Sequence, residues 1–203
     1  MGTTYLVTSL AVRPSGARPG DRLLLTKGVP IEATALLARE FPNRLEPFLS
    51  PAELAEAQRY LVHPGLSVVR DAALALQAGQ VSAMHDPTEG GLAGALWELA
   101  EACGHTLWFD PARVPVPPLA ARVCAAFGLD PLAAIASGAL LMTAPPPDAV
   151  HIVHALADAG LVCAEIGAVE PGPAAVWQAT PRGRVLTPRP ARDEVARLFD
   201  RAG

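Results

Sequence analysis

The sequence predicts an α+β fold, a mixed β-sheet with helices mainly on one face. Two observations predict it. Over the first two-thirds of the chain, segments with apolar residues at helical spacing alternate with short β-rich runs. Over residues 161–186 the β-rich runs follow one another with only turns between them, and strands clustered in this way belong to a mixed sheet rather than a doubly wound parallel one. At 203 residues, 51% of them hydrophobic, the chain can bury a substantial core. Only 5% of residues are aromatic, so Leu, Ala and Val must fill it.

Tyr5 to Val12 is β-rich, and Pro14 to Asp21 is a turn-rich link with two Gly and two Pro. Arg22 to Lys27 reads as a buried strand that Gly28 breaks, and a helix over residues 31–39 follows. Ser50-Pro51-Ala52-Glu53 is a helix start: a serine cap, proline at the first helical position, and a glutamate that bonds back to the cap. Beyond His63-Pro64, Leu66, Val69, Ala73 and Leu76 share one face of a further helix, stopped by Gly79. Val81 to Met84 reads as a strand. Leu92, Leu96, Leu99 and Cys103 then mark a helix that Gly104 ends.

Thr106 to Phe109 is a short strand and residues 114–118 an extended link; residues 119–127 and 131–136 read as helical. A strand over residues 139–143 is led in by Ser137-Gly138. The next helix opens at Pro145, turns Ala149, Ile152, Val153 and Leu156 inward, and stops at Gly160. Strands over residues 161–169, 174–179 and 184–186 precede a last helix over residues 191–200, with Val195, Leu198 and Phe199 inward.

The stretch His85-Asp86-Pro87-Thr88-Glu89-Gly90-Gly91-Leu92 falls between a strand's carboxyl end and a helix's amino end. Two readings compete for it. In one, Asp86 caps the helix, Pro87 opens it and Glu89 closes a capping box. That account leaves Gly90 and Gly91 inside the helix, each costing about 1 kcal/mol against alanine, which is worthwhile only where another element or a ligand approaches the backbone. In the other, the helix amino end holds a phosphate or carboxylate on its unpaired N–H groups.

The net charge of −4 and the absence of any basic cluster argue against a nucleic-acid partner. No apolar run reaches the length of a membrane span, and the start lacks a signal-peptide pattern, so a cytoplasmic protein is expected. Cys103, Cys124 and Cys163 show no metal-ligand spacing and read as buried thiols; no metal site is expected in the chain. His151 and His154 lie three apart on a helix but lack an evident third ligand. The sole lysine, Lys27, ends a strand before Gly28. It is either an ordinary solvated lysine or a point charge delivered to the edge of the sheet where the Asp86 loop lies. Ser137-Gly138 offers a hydroxyl and a backbone N–H at a strand start, or is a simple turn.

Residues 85–100, His-Asp-Pro-Thr-Glu-Gly-Gly-Leu-Ala-Gly-Ala-Leu-Trp-Glu-Leu-Ala, resemble the second-domain signature of the AIR synthase-related superfamily. The Asp-Pro-Thr-x-Gly-Gly-Leu form is most similar to its hydrogenase-maturation branch. Leu23-Leu24-Leu25-Thr26-Lys27-Gly28 and Ser137-Gly138-Ala139-Leu140-Leu141 fit the same family in the same order. The resemblance implies an AIR synthase C-terminal-domain-like fold over residues 21–203. Residues 1–20 would be the end of a missing N-terminal ATP-binding domain plus linker. It further implies the phosphate- and substrate-contacting domain of an ATP-dependent enzyme that activates an oxygen by phosphoryl transfer. Asp86, Thr88, Gly90, Gly91, Lys27, Ser137 and Gly138 would contact the nucleotide or a phosphorylated small molecule. ATP and Mg are expected only with the N-terminal domain, whose Gly-Asp-Asp-Ala-type motif this sequence lacks, and a homodimer only in that full-length context. The hydrogenase-maturation branch ends in a reactive cysteine where this chain has Phe199-Asp200-Arg201-Ala202-Gly203. The alternative is a non-catalytic binding or regulatory module that keeps the fold without the ATP domain.

Overall fold

Leu23, Leu24 and Leu25 are all fully buried, yet consecutive strand residues point to opposite faces. Both faces of the sheet around them must therefore be covered. The structure, a computed structural model, describes residues 12–200, so all but the last residue of the strand expected over Tyr5–Val12 lies outside it. Seven strands form one sheet: β1 (Arg22–Thr26), β2 (Ala83–His85), β3 (Thr106–Phe109), β4 (Leu141–Ala144), β5 (Cys163–Glu170), β6 (Ala175–Thr180) and β7 (Gly183–Leu186). Their spatial order is β2-β4-β1-β5-β3-β6-β7. Every pairing is antiparallel except β3 with β6, so the sheet is mixed.

Leu23 and Leu25 face the helix α5 (Gly91–Cys103), in a core that includes Leu92, Leu96, Leu99, Leu107, Phe109 and Ile166. Leu24 faces the other way, onto α4 (Val69–Ala78) and α7 (Pro146–Asp158), through Ala75, Met142, Ile152 and Leu156. The α+β class and the mixed sheet are as expected, but the helices divide between the two faces instead of lying mainly on one. A β1 without a polar side is the physical reason. A third cluster joins α1 (Ile31–Glu40), α2 (Pro42–Leu45), α3 (Pro51–Gln58), α6 (Pro118–Phe127) and α8 (Glu194–Asp200). The expected Ser50–Glu53 capping box is present at the start of α3. Phe109 is the one aromatic among the largest fully buried side chains, as the aliphatic composition requires.

Two further expectations fail. The segment 131–136 is not helical, because its carbonyls serve other elements: Leu132 O accepts from Ala93 N, Ala133 O from Glu194 N and Ile135 O from Ala33 N. The face of α4 expected inward is outward, with Val69 75% and Leu76 51% exposed, while Asp71 and Ala75 are buried. The turn Pro14–Gly16 packs on α5 beside β2, Ala17 is buried in the α5 core, and Gly20 N donates to Val169 O of β5.

Candidate functional site: the head of helix α5

The head of α5 is built differently from the capping-box reading. The helix begins at Gly91, and its N-cap is Gly90 with φ 76°; no side chain of the Asp86 loop caps it. Asp86, Thr88 and Glu89 are exposed, whereas Pro87, Gly90 and Gly91 are buried. Two consecutive left-handed residues, Gly90 and Gly91 (φ 61°), turn the chain from β2 into the helix, a path that only glycine follows without strain. Gly91 has a second constraint. A Cβ there would lie 2.6 Å from Ala134 O and 2.7 Å from Leu132 O. The close approach anticipated at this glycine is thus made by the backbone of residues 132–134.

Thr88 shapes the loop through its carbonyl, which accepts from Gly91 N (3.0 Å) and from Ala136 N (3.3 Å). The second bond brings the segment leading to Ser137-Gly138 against the loop. Gly138, at φ 105°, sits where a Cβ would meet Gly65 O at 2.9 Å. That carbonyl also lies 3.5 Å from Lys27 Nζ. The expected residues therefore form two groups, Asp86–Gly91 at the head of α5 and Lys27 with Gly138 around Gly65, and the segment 132–138 joins them.

Lys27 is not a solvated lysine, and its ammonium is not aimed at the Asp86 loop. Its φ is 56°, and its side chain is 4% exposed. Nζ donates to Ser67 O at 2.7 Å and pairs with Asp71 Oδ2 at 3.4 Å, where Asp71 itself is 2% exposed. Asp71 Oδ1 is buried without a hydrogen-bond partner. The pair pulls Asp71 inward and so turns Val69 and Leu76 out.

The group at the head of α5 that the sequence reading missed is Asp193. Its carboxylate is buried, 7% exposed. Oδ2 accepts from Gly90 N at 2.8 Å, and Oδ1 accepts from Val195 N at 2.8 Å, capping α8. An anion thus already sits at the start of α5, supplied by the chain itself 103 positions away. The Asp-Glu-Val run before an amphipathic segment signals the α8 cap; no local pattern signals the bond to Gly90. Beside it lies a cavity of about 190 Å³, lined by Glu89, Gly90, Gly94, Arg189, Arg192 and Asp193 among others. His85, the other polar group near the loop, pairs through Nε2 with Glu98 Oε2 at 2.6 Å.

Among the described residues no group of three or more His, Cys, Asp or Glu is placed to hold a metal ion. The three cysteines are free thiols. Burial pushes Cys124 and Cys163 up to about 12, which leaves neither a ready nucleophile. Among the described residues no helix is long and apolar enough to cross a membrane.

Comparison with known proteins gives concordant results. Residues 18–178 match the family described as AIR synthase related protein, C-terminal domain. Carbamoyl dehydratase HypE of Cupriavidus necator is 29% identical over 159 residues, which are 76% of this chain and 41% of that protein. The fold superposes on the crystal structure of E. coli HypE, a hydrogenase maturation protein, with a TM-score of 0.72 at 24% identity, covering 94% of this chain and 56% of that one. It also superposes on a HypE solved in complex with ATP, with a TM-score of 0.62 at 22% identity, over 86% of this chain and 52% of the other. The chain spans about half the length of the relatives it matches.

Proposed function

The chain belongs to the AIR synthase-related family through its C-terminal domain, and from that premise we propose that it supplies the phosphate- and substrate-contacting part of an ATP-dependent enzyme that activates an oxygen by phosphoryl transfer. In such chemistry a protein mainly positions reactants and neutralises phosphate charge. Here the Gly90 N–H, at the positive end of the 13-residue helix α5, donates to an anionic oxygen. Asp86 and Thr88 shape the approach. Ser137-Gly138 belongs to the segment that supports the loop, and Lys27 positions that support through Gly65, Ser67 and Asp71.

The single observation that carries this reading is the 2.8 Å bond from Gly90 N to a carboxylate. A buried carboxylate oxygen on that N–H is what an anion-accepting helix start would hold, and it supports the reading. What the residues fit is one phosphoryl group. A cavity of about 190 Å³ is smaller than the roughly 300–1,000 Å³ of typical ligand pockets, and its wall includes the carboxylates Glu89, Glu98 and Asp193. A second cavity of about 500 Å³ shares Glu89, Arg192 and Asp193 with it, and among the described residues no group of three or more His, Cys, Asp or Glu is placed to hold the magnesium that would offset a triphosphate's charge. When bound, ATP would supply the transferable phosphoryl group. Its nucleoside and metal would be held by an N-terminal domain that residues 1–20 adjoin, in a cytoplasmic protein that dimerises in that longer context.

Asp193 also gives the second reading its footing: a binding or regulatory module whose anion site is filled by its own tail. One titration tests the proposal. Inorganic phosphate and ATP are added to the isotopically labelled chain, and the amides of Gly90 through Ala93 are followed. The expected result is a saturable shift centred on Gly90, in the millimolar range for phosphate, since Gly91 N and Ala93 N already donate to Thr88 O and Leu132 O. Unmoved amides at these four residues would overturn the phosphate assignment.

A further inference from the structure

We infer that the slot beside the first half of β5 is a docking groove for an extended peptide of a partner protein, which adds a short strand to the sheet there. With eight residues β5 is the longest described strand, yet β3 pairs only with its second half, Gly167–Glu170. The reason is in the sequence. Asp110 N still donates to Ile166 O at 2.8 Å, but the next residue is Pro111, which has no N–H to offer. The chain leaves the sheet there as the turn Pro111–Arg113, held by Asp110 Oδ1, which accepts from Ala112 N at 3.0 Å. Among the described residues no strand takes the place beside Cys163–Glu165 that β3 gives up.

The alternation of an antiparallel ladder fixes which backbone groups face the slot. Lys27 N donates to Val162 O at 2.8 Å, so Ala164, opposite Leu25, is the next residue to turn its N–H and C=O toward β1. Cys163 and Glu165, opposite Thr26 and Leu24, turn theirs away from β1. Thr26 does the same on its own side, donating from N to Leu140 O at 3.0 Å, toward β4. Two donors and two acceptors thus repeat about 6.7 Å apart along the slot, the period of an extended chain. Beside them α7 supplies an apolar wall. The cavity between, about 380 Å³, is lined by Arg113, Val150, Val153, His154, Cys163 and Glu165 among others. At its rim Arg113 and Glu165 pair at 3.7 Å, so one charge of each sign stands there and neither is in excess. The occupant that fits is an uncharged peptide in β conformation. Its main chain bonds to Cys163 and Glu165, and one Val- or Ile-sized side chain enters the cavity under α7. In strand addition of this kind main-chain bonds give affinity and the side-chain pocket gives specificity.

Amide hydrogen exchange tests the slot in two steps. In the chain alone, the Cys163 and Glu165 amides should exchange about tenfold faster, or more, than that of Ala164, which is bonded to Leu25. The capped peptide acetyl-Thr-Val-Thr-Val-Thr-amide, at millimolar concentration, should then slow Cys163 and Glu165 toward the Ala164 rate. The same peptide N-methylated at both valines keeps its side chains and loses those donors, so it should bind about fivefold more weakly. Val150 is 50% exposed, so Val150→Glu leaves the fold intact while it puts a charge in the cavity; it should weaken the peptide about tenfold. Valine amide serves as the small-molecule arm. Should it shift the resonances of the slot while the peptide protects neither amide, the cavity takes small molecules and strand addition is overturned. Equal exchange at Cys163, Ala164 and Glu165 in the chain alone, no protection by the peptide, or an N-methylated peptide that binds as well as the parent would each overturn it too.

Discussion

Replacing Lys27 by methionine deletes one half of a buried ion pair while nearly keeping the side chain's volume. The ammonium and the Asp71 carboxylate are 3.4 Å apart, with side chains 4% and 2% exposed. At an effective dielectric of about 20, charges at that distance attract by about 5 kcal/mol, much of which offsets the loss of hydration of both groups. The cost of the substitution is different in kind, because it strands a carboxylate. Asp71 Oδ1 already lacks a hydrogen-bond partner, so removing Nζ takes the compensation from Oδ2 as well. Breaking a buried pair in this way costs about 3–5 kcal/mol, a large share of the roughly 5–15 kcal/mol that holds a domain folded. Removing both charges, Lys27→Met with Asp71→Leu, should restore stability to within about 1 kcal/mol of the wild type. Urea denaturation with constant slope is the assay. A Lys27→Met cost below about 1 kcal/mol, or a double variant no better than the single one, would refute the argument that Asp71 depends on Lys27.

The two glycines at the head of α5 should respond unequally to alanine. Gly90→Ala meets nothing closer than 3.5 Å and should cost the left-handed penalty alone, about 1–2 kcal/mol. Gly91→Ala meets two backbone carbonyls at 2.6 and 2.7 Å and should cost about 1–3 kcal/mol more; equal melting temperatures for the two variants would contradict the packing account. Glu53 should titrate at about 2 by carboxyl chemical shift, held down first by its hydrogen bonds to the Arg122 guanidinium and then by the Ser50 N–H. Since the folded value lies below the ordinary carboxylate value of 4.5, its contribution is present above 4.5 and lost as pH falls toward about 2. Arg122→Ala should therefore flatten the stability profile within that window, and an unchanged profile would count against the pairing.

Local patterns carried most of the fold. The Ser50–Glu53 box, the helix stops at Gly104 and Gly160 and the alternation of strands and helices are all set by residues within a few positions of one another, where propensity and capping act. What sequence periodicity could not assign was decided by partners far along the chain. The spacing of Leu66, Val69, Ala73 and Leu76 is a sound amphipathic pattern, yet Lys27, about 40 positions away, recruits Asp71 and rotates α4 so that Val69 and Leu76 face solvent. Residues 131–136 have helical composition, but their carbonyls are taken by α1, α5 and α8. The same rule governs the candidate site. Gly90-Gly91 between a strand and a helix announces that something approaches the backbone, and the structure supplies two different answers. At Gly91 it is the main chain of residues 132–134, which makes that glycine a packing requirement. At Gly90 it is the carboxylate of Asp193, where space remains and the interaction is electrostatic. A double glycine is therefore not one signal: the second is fixed by the fold, and the first leaves an N–H for which any anion, the chain's own or a ligand's, must compete.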